Sequence, residues 1–356
     1  MKKKKLLIVL IIILIICGLS YLGINLYMDS LIHKTTSEID PVKKEDVEET
    51  IIVDETNKAH KVVNFMLVGA DNLDWGNREA SYKEQRSDVF KIISLDYTDK
   101  TIKLTSLDRD VVVFIPDKNI DGEYGHFNWA YSFGGAKYAI NTINYNLDLD
   151  VSKYVSFSFA GFIDVIDAIG GVDIELTQKE ADAFNGDGRS NATMKITAVE
   201  GLNHLDGYDA LAYSRQRYVD SDFNRMNRQN EVIKAVVEKL KNCSVSELFD
   251  VAYKCLPYIT TNLSDNEIKS CIMDIVSFDL NNIKTNTYPK DGPNDICINK
   301  TSLGGYIVRS YSNQVIELHK YIYGTDTYVP TEKIYENEKR TYELFGEFYE
   351  DSKLLP

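Results

Sequence analysis

The sequence predicts a layered α/β domain held outside a membrane by one N-terminal helix. Three observations carry this: short apolar runs of strand character alternate with helical patterns from Val62 onward, glycine pairs punctuate them, and an uncharged Leu/Ile-rich run opens the chain. Apolar residues at 44% and aromatic residues at 11% exclude general disorder in this chain of 356 residues. Length alone leaves open one large domain with appendages or two small ones.

Lys2 to Lys5 precede the apolar run, which extends from Leu6 to Met28 and ends at Asp29. As one helix it is long enough to cross a hydrocarbon core of roughly 30 Å. The lysines keep residues 1–5 on the cytoplasmic side, so everything after Asp29 lies outside. A cleaved signal peptide fits less well, because the run exceeds a typical apolar core and no A-x-A-like site follows. A lipoprotein anchor at Cys17 is disfavoured by Ile16 before it. Residues 29–61, rich in Lys, Glu, Asp and Thr, read as a stalk.

Val62 to Val68, closed by Gly69, reads as a buried strand. Val89 to Tyr97 and Thr101 to Leu107 form a hairpin through Thr98-Asp99-Lys100, and Val111 to Ile115 is a strand stopped by Pro116. Gly134-Gly135 opens a helix from Ala136 to Asn146. Tyr154 to Phe159 is a strand, Phe162 to Ile169 a helix ended by Gly170-Gly171, and Val172 to Leu176 alternates as a strand. Helical stretches dominate from Asn224 to Phe278, followed by a strand at Ile283 to Tyr288 and a helix at Val308 to Leu318. The domain is drawn over residues 62–325, and residues 326–356 form a tail with no role evident in the sequence.

A net charge of -14 argues against nucleic-acid binding through a general basic surface. Against that background Arg215, Arg217, Arg225 and Arg228 crowd into one segment, the mark of an anion site or of a solvated basic face. Cys243, Cys255, Cys271 and Cys297 lack metal-ligand spacing, so zinc is not expected, and an external location permits disulfides without requiring them.

Three polar clusters sit at predicted element ends, where α/β domains assemble their sites. Gly69-Ala70-Asp71 follows the first strand and Arg86-Ser87-Asp88 precedes the second. If those ends coincide, Asp71 and Asp88 form a carboxylate pair suited to Mg²⁺ completed by phosphate oxygens; otherwise both are turn formers. Asp108-Arg109-Asp110 follows the hairpin, with Arg109 either neutralised by its acids or aimed by them at a phosphate. In the third cluster a helix starting at Asp222 or Asn224 puts Arg225 one turn from Arg228 or Gln229, near an N-terminus that itself attracts anions. The signatures G-x-S-x-G, H-E-x-x-H and G-x-x-x-x-G-K-[ST] are absent, which favours phosphoryl transfer by electrostatic stabilisation.

The ordered series Gly69-x-Asp71, Arg86-Ser87-Asp88, Ser106-x-x-Arg109-Asp110, Asn128-x-Ala130-Tyr131 with Gly134-Gly135, and Gly161-Phe162 with Gly170-Gly171-Val172 resembles the LytR-CpsA-Psr (LCP) domain. The likeness continues through Leu202-x-x-Leu205-x-Gly207, Ala210-Leu211-Ala212-Tyr213-x-Arg215-x-Arg217 and Asp222-Phe223-x-Arg225-x-x-Arg228-Gln229, covering residues 62–240. The resemblance implies an α-β-α domain around a central mixed sheet, with a groove for a polyprenyl tail and an arginine-lined mouth for its pyrophosphate. It implies that Asp71 and Asp88 help hold Mg²⁺. Arg86, Arg109, Arg215, Arg217, Arg225 and Gln229 would then bind the pyrophosphate. It implies transfer of teichoic acid, capsule or a similar polymer to peptidoglycan N-acetylmuramic acid, in a Gram-positive-type envelope. His126 stands where the family commonly has Lys, and is expected to join the phosphate contacts more weakly; Asp108 stands where it has Pro. Asp110 or Asp222 would take the acceptor's proton. A non-catalytic lipid-pyrophosphate scaffold and a polyprenyl pyrophosphatase are the alternatives.

Overall fold

The computed structural model describes residues 61–70, 87–118, 122–185, 194–216, 222–241, 243–275, 277–290, 295–298 and 301–346. The expected span at residues 6–28 lies outside them, as does the stalk apart from its last residue, Lys61. Among the described residues no helix is long and apolar enough to cross a membrane.

Val62–Ala70 (β1), Ser87–Asp96 (β2) and Thr101–Leu107 (β3) pair antiparallel in succession, the last two as the expected hairpin. The chain continues through β4 (Val112–Ile115), β5 (Glu123–His126), α1 (Phe127–Leu147), β6 (Lys153–Ser158), α2 (Phe159–Ala168), β7 (Val172–Leu176), α3 (Gln178–Phe184), β8 (Gly201–Leu205), α4 (Gly207–Arg215) and α5 (Asp222–Leu240). It ends with α6 (Val245–Cys255), β9 (Ile259–Thr261), α7 (Asp265–Ile275), β10 (Lys284–Tyr288), β11 (Ile296–Ile298), β12 (Tyr306–Val308), α8 (Tyr311–Tyr323) and α9 (Glu332–Phe345). The central sheet has the order β10-β3-β2-β1-β6-β9. It is mixed: β6 runs parallel to β1 and β10 parallel to β3, while the other pairs are antiparallel.

Alternation along the strands assigns the two faces. Met66, Val68, Phe90 and Ile92 pack in one core with Phe127, Ile140 and Ile143 of α1 and Val315 and Ile322 of α8. Leu67, Val89 and Lys91 face the other way, toward α2, α4 and α5. A second core joins α2, α3, α4 and α5 to the β7–β8 hairpin through Ile166, Phe184, Leu205, Tyr213 and Val232.

Several elements depart from the sequence pattern for local reasons. The helix expected from Ala136 begins nine residues earlier at Phe127, and Gly134-Gly135 is a break inside it, Gly135 taking φ +64°. Phe127, Ala130 and Tyr131, spaced for one helical face, are all buried and extend α1 toward its start. The helical stretch from Asn224 to Phe278 is cut twice. Ser244 caps α6 in a reciprocal capping box with Glu247, and Ile259–Thr261 adds an edge strand against Val155–Phe157 of β6. The helix expected at Val308–Leu318 starts after Val308, which belongs to β12, and runs to Tyr323.

The segment set apart as a tail holds α9, which packs on α1 and α8 with Ile334 fully buried. Asp148, at the end of α1, fastens the connection: its carboxylate accepts hydrogen bonds from Tyr328 Oη at 2.7 Å, Thr331 N at 2.9 Å and Thr331 Oγ1 at 2.8 Å. The Tyr328 ring in turn stacks on His319, centroids 3.6 Å apart.

His319 donates from Nε2 to the Leu147 carbonyl at 2.8 Å, and burial pushes its pKa down to about 4, against the pull of that bond and of Asp148 and Asp150. The unfolded imidazole protonates near pH 6.5, so the folded state binds fewer protons between there and about pH 4. Stability carried by the neutral ring is therefore lost as pH falls through that window, by at most about 1.4 kcal/mol per pH unit. Thermal denaturation from pH 7 to 4 is expected to show a shallower loss in His319→Gln than in the wild type.

Candidate functional site

A cavity of about 530 Å³ lies between the sheet and helices α2, α4 and α5. Leu67, Val89, Val155 and Phe157 supply its floor from three adjacent strands. The α2 residues Phe162, Val165 and Ile166 form one wall. The opposite wall is α5, whose sequence divides it lengthwise. Arg225 and Gln229 come first, one turn apart, and Val232, Ile233, Val236 and Val237 follow on the same face. One helix thus lines the cavity with polar groups near its start and with apolar groups thereafter.

The remaining polar wall comes from chain ends. Arg109 follows β3, and Ser214 and Arg215 close α4. The Arg215 guanidinium lies over the Phe159 ring at 4.4 Å, a stacking that orients the group at the cavity wall. Arg109 Nε is 3.5 Å from Asp110 Oδ2, with Asp110 half-buried. Asp108 is almost fully buried and turns its carboxylate inward. Its Oδ1 accepts from Asp110 N at 2.9 Å, and its own N–H donates to the Tyr288 carbonyl at 2.8 Å. The acid in the family's proline position is thus a turn former that shapes residues 108–110.

Of the expected pyrophosphate ligands, the fold brings Arg109, Arg215, Arg225 and Gln229 onto this one cavity. His126 is not on its wall. Its Nε2 lies 3.3 Å from the Gly304 carbonyl, and its ring rests on Trp129 at 4.7 Å between centroids, because β5 directs it toward the turn before β12. Arg228 leaves the cavity as well, donating to the Gln216 carbonyl at 2.7 Å and lying 3.5 Å from Glu180 Oε1. Arg86, Arg217 and Asp71 fall outside the described residues. Asp88 and Asp222 belong to β2 and α5, but their side chains are outside the description.

For the metal pair only the backbone speaks. Ala70 pairs with Ser87 and Gly69 with Val89, with a bulge between, so the end of β1 and the start of β2 share one sheet edge. Among the described residues no three His, Cys, Asp or Glu side chains gather to hold a metal. Cys243, Cys255, Cys271 and Cys297 are all free thiols, and burial raises Cys255 to about 11.

Lys91 lines the same cavity and was not singled out by any motif. Its signal in the sequence is one of pattern, a lysine between Val89 and Ile93 on one face of a strand covered on both sides.

A model of the LytR_cpsA_psr family matches residues 23–319. The polyisoprenyl-teichoic acid–peptidoglycan teichoic acid transferase TagU of Enterococcus faecalis is 31% identical over 258 residues, 71% of this chain and 77% of that protein. The crystal structure of Bacillus subtilis TagV superposes with a TM-score of 0.60 at 25% identity, covering 76% of this chain and 99% of that one. A structure of YwtF (TagT) with bound octaprenyl pyrophosphate lipid shares the fold, with a TM-score of 0.58 at 21% identity over 81% of this chain and 100% of that one.

The two arginines one turn apart in α5 are expected to separate by experiment. Arg228→Met leaves Glu180 and the Gln216 carbonyl without their partner. Glu180 is 13% exposed, so the loss falls at the low end for a broken buried pair, about 3 kcal/mol in urea denaturation.

Proposed function

The chain belongs to the LytR_cpsA_psr family, and on that premise we propose that it transfers a phosphate-linked glycopolymer from a polyprenyl pyrophosphate carrier to peptidoglycan. The observation that carries this reading is the cavity itself, apolar along α2 and most of α5 and cationic at Arg109, Arg215 and Arg225. A prenyl chain gains by leaving water for the apolar part, and a pyrophosphate gains charge-assisted hydrogen bonds from the guanidinium groups. The name of the TagU relative, a teichoic acid transferase, supports teichoic acid as the polymer class. Capsule polysaccharide is the other polymer to test.

In the proposed reaction the 6-hydroxyl oxygen of N-acetylmuramic acid attacks the phosphorus nearest the glycan. A new O–P bond forms, the P–O–P bridge breaks, and polyprenyl phosphate leaves with the bridging oxygen. Arg109 and Arg225, fixed by the fold beforehand, neutralise the charge that develops on the departing phosphate. The hydroxyl proton passes to a carboxylate, Asp110 beside Arg109 or Asp222 at the start of α5. Asp71 and Asp88 would hold Mg²⁺, which when bound adds positive charge against the pyrophosphate oxygens. Residues 6–28 would anchor the domain to the outer face of the cell membrane, where both the lipid donor and the wall acceptor are found.

The test uses the full-length chain in detergent micelles with labelled lipid-pyrophosphate glycan and peptidoglycan oligomers. Label is expected in the peptidoglycan fraction, and its loss on chelation with return on adding Mg²⁺ would establish the metal. Arg109→Ala is expected to slow transfer about 10²- to 10³-fold with the fold retained. Full activity in that variant would remove Arg109 from the chemistry. Phosphorylated glycan released free into solution would identify a pyrophosphatase, and tight lipid binding without label transfer a scaffold.

A second expectation concerns the tail. Val236→Asp puts a charge on the apolar wall and is expected to weaken donor binding at least tenfold, while binding of inorganic pyrophosphate stays unchanged.

A further inference from the structure

Lys91 breaks the pattern of the strand that carries it. Its neighbours on the same face of β2, Val89 and Ile93, are apolar, as a strand covered on both sides requires. Yet the lysine is 1% exposed and forms part of the cavity wall. Its Nζ donates to Ser106 Oγ at 2.6 Å on the facing strand β3 and to Asn230 Oδ1 at 2.9 Å on α5. Both acceptors are neutral.

A buried ammonium is ordinarily offset by a carboxylate. Among the described residues none bonds to Lys91, and its third N–H has no partner there. Leu67 of β1, its register partner on the other side, brings no charge. The charged groups sharing the cavity wall are Arg225 from α5, Arg109 after β3 and Arg215 at the end of α4, all cations. Asp110 sits beside Arg109. Burial first, and Arg225 second, push Lys91 down to about 7. The cavity wall thus holds a lysine whose charge is poorly supported when the cavity is empty.

We propose that Lys91 is a phosphate ligand of the lipid donor, a cation on the cavity wall that completes the arginine set when the pyrophosphate enters. This rests on the reading of the cavity as a polyprenyl pyrophosphate site. Near neutral pH the empty site holds Lys91 partly as the amine. Phosphate oxygens favour the ammonium, so as the donor binds Nζ takes a proton from solvent, one N–H bond forming there while the donor keeps all its bonds. A lysine serving only as a strut between Ser106 and Asn230 would take up none.

The experiment is isothermal titration of the full-length chain in detergent micelles with farnesyl pyrophosphoryl N-acetylglucosamine. Its pyrophosphate is esterified at both ends, so the probe itself has no proton to exchange between pH 6 and 8. Wild-type Kd is expected to weaken about tenfold from pH 6 to pH 8, the ratio set by a group half-protonated near pH 7. Uptake of protons is read from the dependence of the heat on buffer ionisation enthalpy. Lys91→Met and Lys91→Gln are each expected to bind at least tenfold more weakly at pH 6 and to lose that part of the pH dependence, any histidine contribution being common to all three proteins. The amide of Lys91→Gln can keep a bond to Ser106 or Asn230, so rescue by that variant, or a wild-type profile in Lys91→Met, overturns the proposal in favour of a strut. A wild type that binds with a flat profile overturns it too. A wild type that fails to bind the probe at either pH overturns the reading of the cavity and this inference with it.

Discussion

Cations withdrawn from water beside an apolar cavity set the terms for the rest of this structure. Lys91 and Arg225 are both nearly fully buried, on facing elements of the wall. Each lost hydration worth several kcal/mol, and the strut bonds of Lys91 to Ser106 and Asn230 return only part of it. Such an arrangement persists because the surrounding cores hold it. The sheet is packed on its far face by α1 and α8, and the helices that roof the cavity are packed together through Tyr213, Phe184 and Val232. Arg109, Arg215 and Arg225 are thus fixed on the wall by the fold, so an anion at the cavity would meet guanidinium groups that need little rearrangement.

The roof has its own internal fastening. Arg228 ties the start of α5 to the end of α4 through the Gln216 carbonyl and to α3 through Glu180. Tyr213 adds a hydrogen bond from α4 to Glu231 of α5. These contacts hold Arg215 and Arg225 in register with each other across the cavity, so a structural arginine does for geometry what its neighbours do for charge. Asp108 plays the matching part on the sheet side, where its carboxylate bends the chain after β3 and sets Arg109 at the wall.

On the opposite face, α9 shows that the support extends to the end of the described chain. Asp148 gathers Tyr328 and Thr331, and His319 stacks beneath Tyr328. The helix covers α1 and α8, which in turn cover Met66, Val68, Phe90 and Ile92. The strand residues of the cavity floor alternate with those four along β1 and β2. Loosening the far layer would therefore be felt at the floor, since both faces belong to the same strands.

Much of this was legible in the chain. Alternating apolar runs and turn residues determine the order of strands and helices from β1 to β7 apart from β5, because period and punctuation are local properties, whereas Glu123–His126 becomes a strand only by pairing with Val112–Ile115. The spacing of Arg225 and Gln229 already places them on one helical face, and the ordered motifs point to the family. What the sequence left undecided depends on contacts between distant residues. The short strand β9 forms only because β6 offers it an edge, and Gly134-Gly135 starts a helix or breaks one according to what Phe127 and Tyr131 pack against. Arg228 and Gln229, adjacent in sequence, point to different work because Gln216 and Glu180 stand on one side of α5 and the cavity on the other. His126 faces Gly304, a residue far along the chain, for the same kind of reason. Above all, the local pattern shows Lys91 only as a lysine between Val89 and Ile93 on one strand face, and does not say what covers that face. Burial by α5, more than a hundred residues later, makes it a cation without water, and only the tertiary structure decides that.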